Sequence, residues 1–401
     1  MIHSLVAGGG IGGLATALSL ASAGHRVTVL ERQDEFREIG AGIQIAPNGF
    51  AALDRLGVGK AVRERAVLVE ELRLMDAITG ERLTAVPVGD RYRRRFGNPY
   101  AVVHRADLHT PLLEACRLDD RIRLLAGAEV AGQAQDAEAA DGRVSVTTAD
   151  GRRFEGDLLV GADGIRSAVR ARLLGDGPPQ PNGHTIYRAL LPIEEVPDHL
   201  RTGAVTLWAG PDYHVVHYIV AGGASLNLAA VLDDGAMEAV SGRPADRDTV
   251  LARFPRLAAT PRALLELGRD WRRWVLCDRD PVDRWTEGRI TLLGDAAHPM
   301  LQYAAQGACQ ALEDTVVLGA LLAGATPADL PERLTRYEAA RRERTARIQT
   351  VSRRVGAELY HPVGDAARAR DDLLGPLTED GLHDQLAWLH TAQPVPGEEN
   401  G

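Results

Sequence analysis

The N-terminal segment contains the pattern that most restricts how this chain can fold. Ile2–Ala7 is predicted to be a buried strand, Leu14–Ala23 has the small, apolar pattern of a closely packed helix, and Arg26–Leu30 is predicted to be a second strand. A glycine cluster forms the turn between the first strand and the helix. This order predicts a β-α-β unit, in which a helical crossover joins two parallel strands.

The glycine cluster has the spacing Gly8-x-Gly10-x-x-Gly13. Gly8 permits the tight turn, Gly10 lets the backbone approach a diphosphate, and Gly13 allows the helix and strand to pack closely. Free N–H groups at the start of the helix would face the diphosphate charge. Glu31 follows the second strand, where an acid is expected to bind an adenosine ribose, and Arg32 beside it is assigned to the same site. We predict a dinucleotide site; a purely structural glycine turn is the alternative.

Two further strand ends favour FAD over NAD as the dinucleotide. One predicted strand closes on Asp163-Gly164 and another, Arg289–Leu293, closes on Gly294-Asp295. Either turn alone would be interpreted as an ordinary type I turn. Arg105 lies at the start of a predicted helix and could reach a pyrophosphate or a ribityl chain. An NAD enzyme would need only the first glycine motif, whereas these distant segments together can line one longer cofactor.

The order of predicted elements indicates a nucleotide-binding lobe interrupted by a β-rich insertion. Alternating apolar runs between about residues 184 and 274 favour an antiparallel sheet, and the Ala- and Arg-rich C-terminal region has helical spacing. The C-terminal tail is expected to cover the cofactor lobe or to form a homodimer contact. The predicted boundaries are residues 1–75, 98–178 and 276–345 for a discontinuous FAD-binding domain, 76–97 and 179–275 for a β-rich substrate domain, and 346–401 for a helical tail.

Composition restricts the partners and the compartment. A formal net charge of −9 argues against a general affinity for nucleic acid, which needs a basic surface. The basic run Arg91–Arg95 is interpreted as a solvated loop, or else as an attractor of anionic substrate or nicotinamide dinucleotide. No segment reaches the roughly 20 apolar residues that a membrane-spanning helix needs. The three cysteines have neither disulfide nor metal-site spacing, so we expect a cytoplasmic protein without a metal.

Over essentially the whole chain, these motifs resemble the class A flavin-dependent aromatic monooxygenases. The resemblance implies an α/β fold, with a Rossmann-like FAD-binding lobe, an inserted antiparallel β-sheet lobe over the substrate, and a helical tail. It implies that Asp295 binds the ribityl chain, that Arg105 and Val130 contact the cofactor, and that the Asp163-Gly164 turn serves both FAD and the reductant. NADH or NADPH would bind without a domain of its own, which agrees with the single glycine motif.

A long helix is predicted to begin near Gly307 and Ala308. Its N–H groups and dipole would face the flavin N1–C2 carbonyl, a contribution of roughly 0.3–2 kcal/mol to stabilising the reduced anion. Gly307 would allow the flavin to approach closely. A plain helix start is the alternative interpretation.

Within the family, the stretches expected around the substrate are most similar to those of hydroxylases acting on 3-hydroxybenzoate. They include Gly210–His214, continuing to Tyr218, and Asp295–Pro299, continuing to Tyr303. The resemblance implies that O2 and NADH or NADPH are consumed, that a phenolic acid is hydroxylated through a flavin C4a-hydroperoxide, and that 2,5-dihydroxybenzoate is formed. Met300 departs from the expected pattern, in which a second proline follows Pro299.

His214 is the predicted base or hydrogen-bond acceptor for the phenol, because the pKa of an imidazole can lie near neutrality. Tyr218 lies four residues further along a predicted strand, so both side chains share one face, whereas His217 points to the other. The resemblance also assigns Gln302 to the flavin side of the substrate and Tyr100 to the neighbouring lobe. The alternative is that His214 is an ordinary hydrogen-bonded histidine of the core or surface.

Three other functions compete with this hypothesis. The same fold could hydroxylate salicylate, 6-hydroxynicotinate or a polyketide phenol. It could also be a flavin-dependent halogenase or an FAD-bound reductase, although the pair Trp271 and Trp274 lacks the halogenase spacing. A nicotinamide dehydrogenase or non-catalytic nucleotide-binding module would leave Asp163 and Asp295 without a role.

Overall fold

The computed structural model describes residues 1–38, 40, 42–135 and 142–397. The strands are β1 (His3–Ala7), β2 (Arg26–Leu30), β3 (Gly42–Ile45), β4 (Val67–Leu68), β5 (Glu71–Asp76), β6 (Arg82–Pro87), β7 (Ala101–His104), β8 (Ile122–Leu125), β9 (Val130–Gln135), β10 (Val144–Thr148), β11 (Arg153–Gly156), β12 (Leu158–Gly161), β13 (Gln180–Pro192), β14 (Ala204–Gly210), β15 (Tyr213–Val220), β16 (Ser225–Ala236), β17 (Arg243–Pro244), β18 (Arg272–Asp278), β19 (Thr286–Glu287) and β20 (Ile290–Leu292). The α-helices are α1 (Ile11–Ser22), α2 (Pro47–Arg55), α3 (Gly59–Arg63), α4 (Asp90–Phe96), α5 (Arg105–Arg117), α6 (Ala168–Leu174), α7 (Arg247–Arg253), α8 (Ala259–Leu267), α9 (Gly307–Leu322), α10 (Leu330–Arg354), α11 (Asp365–Leu374) and α12 (Glu379–His390).

The predicted β-α-β unit is confirmed and lies in a six-stranded sheet with the order β19-β20-β12-β1-β2-β8. The β1, β2, β8, β12 and β20 strands are parallel, and only the short β19 runs against its neighbour. Apolar side chains of β1 and β12 are fully buried, as continuous apolar runs in parallel sheets require. The α1 helix packs against α5 and α9, and all three contribute to this core.

The parallel order brings together the three sequence turns expected at the cofactor. In a parallel sheet the carboxyl ends of all strands lie at one edge. The glycine turn follows β1, Asp163 follows β12, and Gly294 follows β20. These turns therefore lie side by side, although the chain separates them by long intervals.

A second sheet, of eight strands, supplies the β-rich lobe. Its order is β17-β18-β13-β16-β15-β14-β5-β6, and only β14 and β5 pair in parallel. It has its own buried cluster, which includes Trp208, Leu228 and Trp271. The β5 strand pairs with β14 from Glu71 onward, so the sheet begins before the predicted boundary at residue 76.

The C-terminal region folds back over the opening between the two sheets. The α10 helix continues into a π-helical turn, Val355–Tyr360, before α11 and α12. The α12 helix contacts α2, α4 and β6. The tail thus covers α2 of the cofactor lobe and also β6 and α4, which belong to the segment predicted for the substrate domain.

The interpretation of Arg91–Arg95 as a solvated loop is wrong, because the segment lies within α4. Tyr92 is fully buried and its hydroxyl is 2.6 Å from Nδ1 of His390 in α12. Arg91 and Arg95 form ion pairs with Asp380 and Asp384 of the same helix. The α4 helix forms because it buries Tyr92 under α12 while Arg91 and Arg95 stay at the edge of that contact.

Cys116 and Cys309 are buried free thiols, as their apolar helical surroundings predict. Across the described ranges, none of the helices combines the length and apolarity needed to cross a lipid bilayer.

Candidate active site

One cavity of about 1060 Å³ extends from the glycine turn to the eight-stranded sheet. Of the residues predicted from the sequence, Gly13 lies beneath the turn and outside the cavity lining. The others line the cavity: Gly8, Gly10, Glu31, Arg32, Tyr100, Arg105, Val130, Asp163, His214, Tyr218, Gly294, Asp295, Gln302, Gly307 and Ala308. Segments from both lobes and the tail therefore surround a single space.

The three glycines of the turn meet different steric demands. Gly8 has a φ of +103°, and a Cβ there would lie 2.4 Å from the carbonyl oxygen of Ala162. A Cβ on Gly13 would lie 1.9 Å from the carbonyl oxygen of Gly8. The space beside Gly10 is more open, since the nearest atom to a Cβ added there would be Glu38 Oε1 at 3.3 Å. The backbone itself thus requires glycine at positions 8 and 13, whereas a Cβ at Gly10 would meet only the end of the Glu38 side chain.

Glu31 holds the glycine turn against the end of β2. Its carboxylate accepts hydrogen bonds from the backbone N–H of Gly9 at 2.6 Å and of Gln33 at 2.8 Å. Arg105, on the other wall, forms a two-point ion pair with Glu38, with Nε 2.8 Å from Oε2. Both predicted residues thus border the cavity while bonded to neighbouring segments.

The two predicted acidic turns differ in what their carboxylates contact. Asp163 accepts hydrogen bonds from Ser167 Oγ at 2.5 Å and from the N–H of Ala168 at 2.7 Å, so it caps the start of α6. Asp295 instead has its side chain open to the cavity. Burial raises the pKa of both carboxyl groups, and at Asp295 the nearby Arg105 charge opposes that rise.

A buried ionic cluster fixes the Gly294-Asp295 turn. Asp314 of α9 accepts hydrogen bonds from the N–H of Gly294 at 3.0 Å and from Nε of Arg341 at 2.7 Å, and lies 2.6 Å from Nε2 of His298. Burial opposes ionisation of Asp314, but the charges of His298 and Arg341 outweigh it and lower its pKa. The turn is therefore held to α9 and α10 by charge-assisted hydrogen bonds. This cluster was not foreseen from the sequence.

His214 and Tyr218 share one face of β15, as predicted, and both line the cavity. His217 lies on the other face, where Trp208 Nε1 donates to its Nδ1 at 3.2 Å. Nδ1 of His214 lies 2.7 Å from Nε2 of His361, in the segment that follows the π-helical turn. The two imidazoles share one hydrogen bond, which leaves Nε2 of His214 for the cavity.

The expected near-neutral pKa of His214 is wrong. Burial, followed by the proximity of His361 and His184, lowers the pKa of His214 well below its usual value. Burial likewise lowers the pKa of His361 to about 4. At neutral pH His214 is therefore an uncharged imidazole, able to accept or donate one hydrogen bond at its second nitrogen.

The hydroxyl groups of the two predicted tyrosines, Tyr218 and Tyr100, donate hydrogen bonds to oxygen atoms of the protein. Tyr218 donates to the carbonyl oxygen of Gly42 at 2.8 Å, and Tyr100 donates to Oε1 of Gln44 at 2.6 Å. Burial raises the pKa of Tyr218 to about 12 and that of Tyr100 well above its usual value. Both groups stay protonated, and each oxygen retains lone pairs that can accept a hydrogen bond.

Comparison with known proteins identifies the nucleotide for which this cavity is built. The FAD-binding domain family matches residues 1–352. The chain belongs to this family.

Several proteins are similar to this FAD-binding protein along their whole length. It is 45% identical to 3-hydroxybenzoate 6-hydroxylase 1 of Aquipseudomonas alcaligenes, over 98% of each chain. It is 42% identical to 3-hydroxybenzoate 6-hydroxylase of Klebsiella oxytoca, over 97% of this chain and 96% of that protein. The structure of Klebsiella pneumoniae HpxO with FAD and uric acid superposes with a TM-score of 0.84 at 28% identity, covering 96% of this chain and 95% of that one. The resemblance to flavin-dependent aromatic monooxygenases is confirmed.

The glycine-turn end of the cavity fits an FAD by its own geometry. The α1 and α9 helices both begin at the cavity wall without a side-chain cap, so their first N–H groups are available to an anion or carbonyl. The glycine turn lines the cavity and can hold a diphosphate, and the open carboxylate of Asp295 can accept from hydroxyl groups.

Two parts of this flavoprotein's cavity were missed by sequence reasoning. The tail supplies Tyr360, which lines the cavity and whose hydroxyl donates to the carbonyl oxygen of Tyr303 at 2.9 Å, and His361, which contacts His214 from behind that lining. Arg188 of β13 also lines the cavity, and its Nη2 donates to Oε1 of Gln302 at 2.5 Å. The one available signal for Arg188 is a charge within an otherwise apolar strand, Ile186–Leu191.

Proposed function

We propose that the protein hydroxylates 3-hydroxybenzoate at C6, with O2 and NADH or NADPH, to give 2,5-dihydroxybenzoate. Two relatives above 40% identity along the whole chain have names that specify this reaction. The structural observation that carries the proposal is the buried, uncharged His214 at the far end of a cavity that begins at the glycine turn. FAD, when bound, supplies the reduction and oxygen chemistry.

The cofactor would be held mainly by backbone groups at strand and helix ends. We assign the diphosphate to the turn formed by Gly8, Gly10 and Gly13, where the N–H groups of α1 converge. The adenosine end would lie near Glu31, Arg32 and Val130, and Arg105 and the Asp163 turn would border the middle. Asp295 would accept from the ribityl hydroxyls, following Gly294, and the N–H groups of Gly307 and Ala308 would face the flavin carbonyl.

His214 would accept the hydrogen bond of the substrate hydroxyl and draw its proton away from the phenol oxygen. Donation by its own Nδ1–H to His361 leaves Nε2 as an acceptor, so this tautomer suits an incoming phenol. Withdrawing the phenol proton enriches the ring carbons ortho and para to the oxygen. In 3-hydroxybenzoate C6 is para to the hydroxyl, which accounts for the position hydroxylated. Tyr218, Tyr100 and Gln302 would complete the polar wall around the ring.

The test is product identification with a panel of aromatic acids. The holoenzyme would be incubated with NADH or NADPH, O2 and one acid at a time: 3-hydroxybenzoate, salicylate or 6-hydroxynicotinate. The products would be separated by chromatography and identified by mass spectrometry. We expect one 2,5-dihydroxybenzoate per reduced nicotinamide oxidised with the first compound. Nicotinamide oxidation that yields only hydrogen peroxide there, together with coupled product from another acid, would contradict the proposed substrate.

We also propose a setting for this activity, namely catabolism of aromatic acids in the cytoplasm by a homodimer. The free thiols are consistent with a reducing compartment. Sedimentation velocity of the holoenzyme would test the dimer, since a monomer at micromolar concentration would contradict it.

A further inference from the structure

Arg188 lies at the centre of the sheet face that borders the cavity. In the strand register it pairs with Ala229 of β16, which in turn pairs with Val216 of β15. Val216 lies between His214 and Tyr218, so Arg188 is two strands away from these residues at the same level. Two strand spacings correspond to about 10 Å between backbones, a distance that a long arginine side chain and a small ring can bridge.

Neutral groups hold the guanidinium in place. Its Nη2 donates to Gln302, and its Cζ lies 6.0 Å from the centroid of the Trp274 ring. Burial lowers the pKa of Arg188; the proximity of Tyr218 opposes this, and the nearby Arg105 charge adds to it. In the described part of the chain, no carboxylate lies within ion-pair distance of Arg188.

Two fully buried arginines of this protein, Arg170 and Arg341, each lie beside a carboxylate. Arg170 lies 2.6 Å from a carboxylate oxygen of Asp176, and Arg341 lies 2.7 Å from one of Asp314. A buried cation without an anion is costly, because it loses hydration that nothing replaces. At Arg188 the open side of the guanidinium is the cavity itself, so the missing anion would have to arrive as a ligand.

We propose that Arg188 binds the carboxylate of the aromatic substrate and thereby restricts the site to anionic rings. The planar guanidinium matches a carboxylate at two points, which fixes the direction of the ring as well as holding it. With the carboxylate at Arg188, the ring hydroxyl faces His214 on the neighbouring strand. This assignment rests on the proposed aromatic-acid hydroxylation for the identity of the ligand.

The experiment is a binding titration of the oxidised holoenzyme, without nicotinamide, followed by the flavin absorbance change. The ligands are 3-hydroxybenzoate, benzoate and the uncharged 3-hydroxybenzamide. We expect Arg188→Met to weaken binding of both acids about 10- to 100-fold, which is the range for a hydrogen bond to a charged group. Binding of the amide should change by less than about threefold, because it lacks the charge. Arg272→Met is the control, since Arg272 is exposed and lies directly opposite Arg188 in the register.

Each remaining outcome would overturn the assignment. Equal weakening of acid and amide binding would mean that Arg188 only positions Gln302. Unchanged binding would mean that Arg188 does not contact the ligand. Loss of FAD would mean that Arg188 binds the cofactor. Arg188→Lys keeps the charge but not the two-point geometry, so it covers the case in which the Met variant does not fold. A smaller but still acid-selective loss is expected for this lysine variant, and an unselective one counts against the assignment.

The titration also separates this inference from the proposed reaction. Acid-selective binding through Arg188, together with failure to form 2,5-dihydroxybenzoate, would support the anion site and contradict 3-hydroxybenzoate as the substrate. Coupled formation of 2,5-dihydroxybenzoate by the parent protein, together with an unselective loss of binding in Arg188→Met, would support the substrate and contradict the anion site.

Discussion

The two ends of the cavity are built in different ways. At the glycine-turn end, the shape comes from backbone atoms at the ends of β1, β12 and β20 and at the start of two helices. At the sheet end it comes from side chains of β13, β15 and the tail, which contact one another across long sequence separations. We infer that the first end does not tolerate an added side-chain atom at Gly8 or Gly13, whereas the second can change its ligand through single side chains.

The strongest test of the backbone-built end is Gly13→Ala. The new Cβ would lie 1.9 Å from the Gly8 carbonyl oxygen, so the turn must deform. We expect purified protein without FAD and a free energy of unfolding reduced by about 1–3 kcal/mol, measured by denaturant titration.

Gly381→Ala is the matched control for that change. Gly381 occupies the same third position in α12 that Gly13 occupies in α1, but its nearest contacts are ordinary ones at 3.4 Å or more. Alanine there should leave FAD content normal and raise stability by up to about 1 kcal/mol. Equal losses in both variants would contradict the distinction.

The sheet end should respond in the opposite manner, losing chemistry while it keeps the cofactor. His214→Asn removes the proton acceptor, so we expect the rate of hydroxylation to fall about 10²- to 10⁴-fold with full FAD content. The measurement is coupled product formation under saturating nicotinamide. His217→Gln, on the opposite face of the same strand, should retain hydroxylation; comparable loss there would indicate damage to the sheet.

The two acidic turns provide a comparison within the cofactor end. Asp295→Ala should weaken FAD about 10- to 100-fold, because it removes a charged acceptor that faces the cavity. Asp163→Ala should mainly lose the cap of α6 and about 0.5–2 kcal/mol of stability. Fluorescence titration of apoprotein with FAD measures the first effect and thermal unfolding the second. Unchanged FAD affinity in Asp295→Ala would contradict its assignment to the ribityl chain.

The difference between the ends also decides what could be predicted from sequence. The glycine turn and Gly294-Asp295 are contiguous motifs whose geometry follows from local sterics and strand order, so the cavity lining at that end could be predicted. The hydrogen bond from Ser167 Oγ to the Asp163 carboxylate is a local side-chain contact that the motif alone does not specify. The Asp-Gly motif therefore predicted where Asp163 lies, but not which groups its carboxylate accepts hydrogen bonds from.

The sheet end was predictable only where strand alternation operates. Alternation placed His214 and Tyr218 together and His217 apart. The pKa of His214 was misjudged, because it depends on burial and on a histidine 147 residues away. Helix α4 was missed for the same physical reason, since its partner helix lies 289 residues further along the chain.

His361→Gln tests that distant contact with the smallest expected effect. Burial, and then the proximity of His361 and His184, lowers the pKa of His214. Glutamine can still hydrogen bond to His214, but it cannot be charged. The pKa of His214 should therefore rise toward its usual value.

Hydroxylation requires an uncharged His214, so a higher pKa moves the acid limb of the pH profile of kcat/KM to higher pH. Above pH 8 the variant and parent should differ by less than about threefold, since both then hold an uncharged imidazole. His199→Gln, which alters an exposed histidine, should leave the profile unchanged.

Stability should respond to the same substitution with the sign that linkage requires. His361 has a folded pKa of about 4, below the value near 6.5 of the unfolded chain. The unfolded chain therefore binds a proton first as the pH falls, and the native protein loses stability between pH 6.5 and about 4. His361→Gln removes this proton uptake, so its unfolding free energy should fall less steeply across that window in urea titrations. A slope equal to that of the parent would mean that His361 is hydrated, and its contact with His214 would no longer explain the uncharged imidazole at the sheet end.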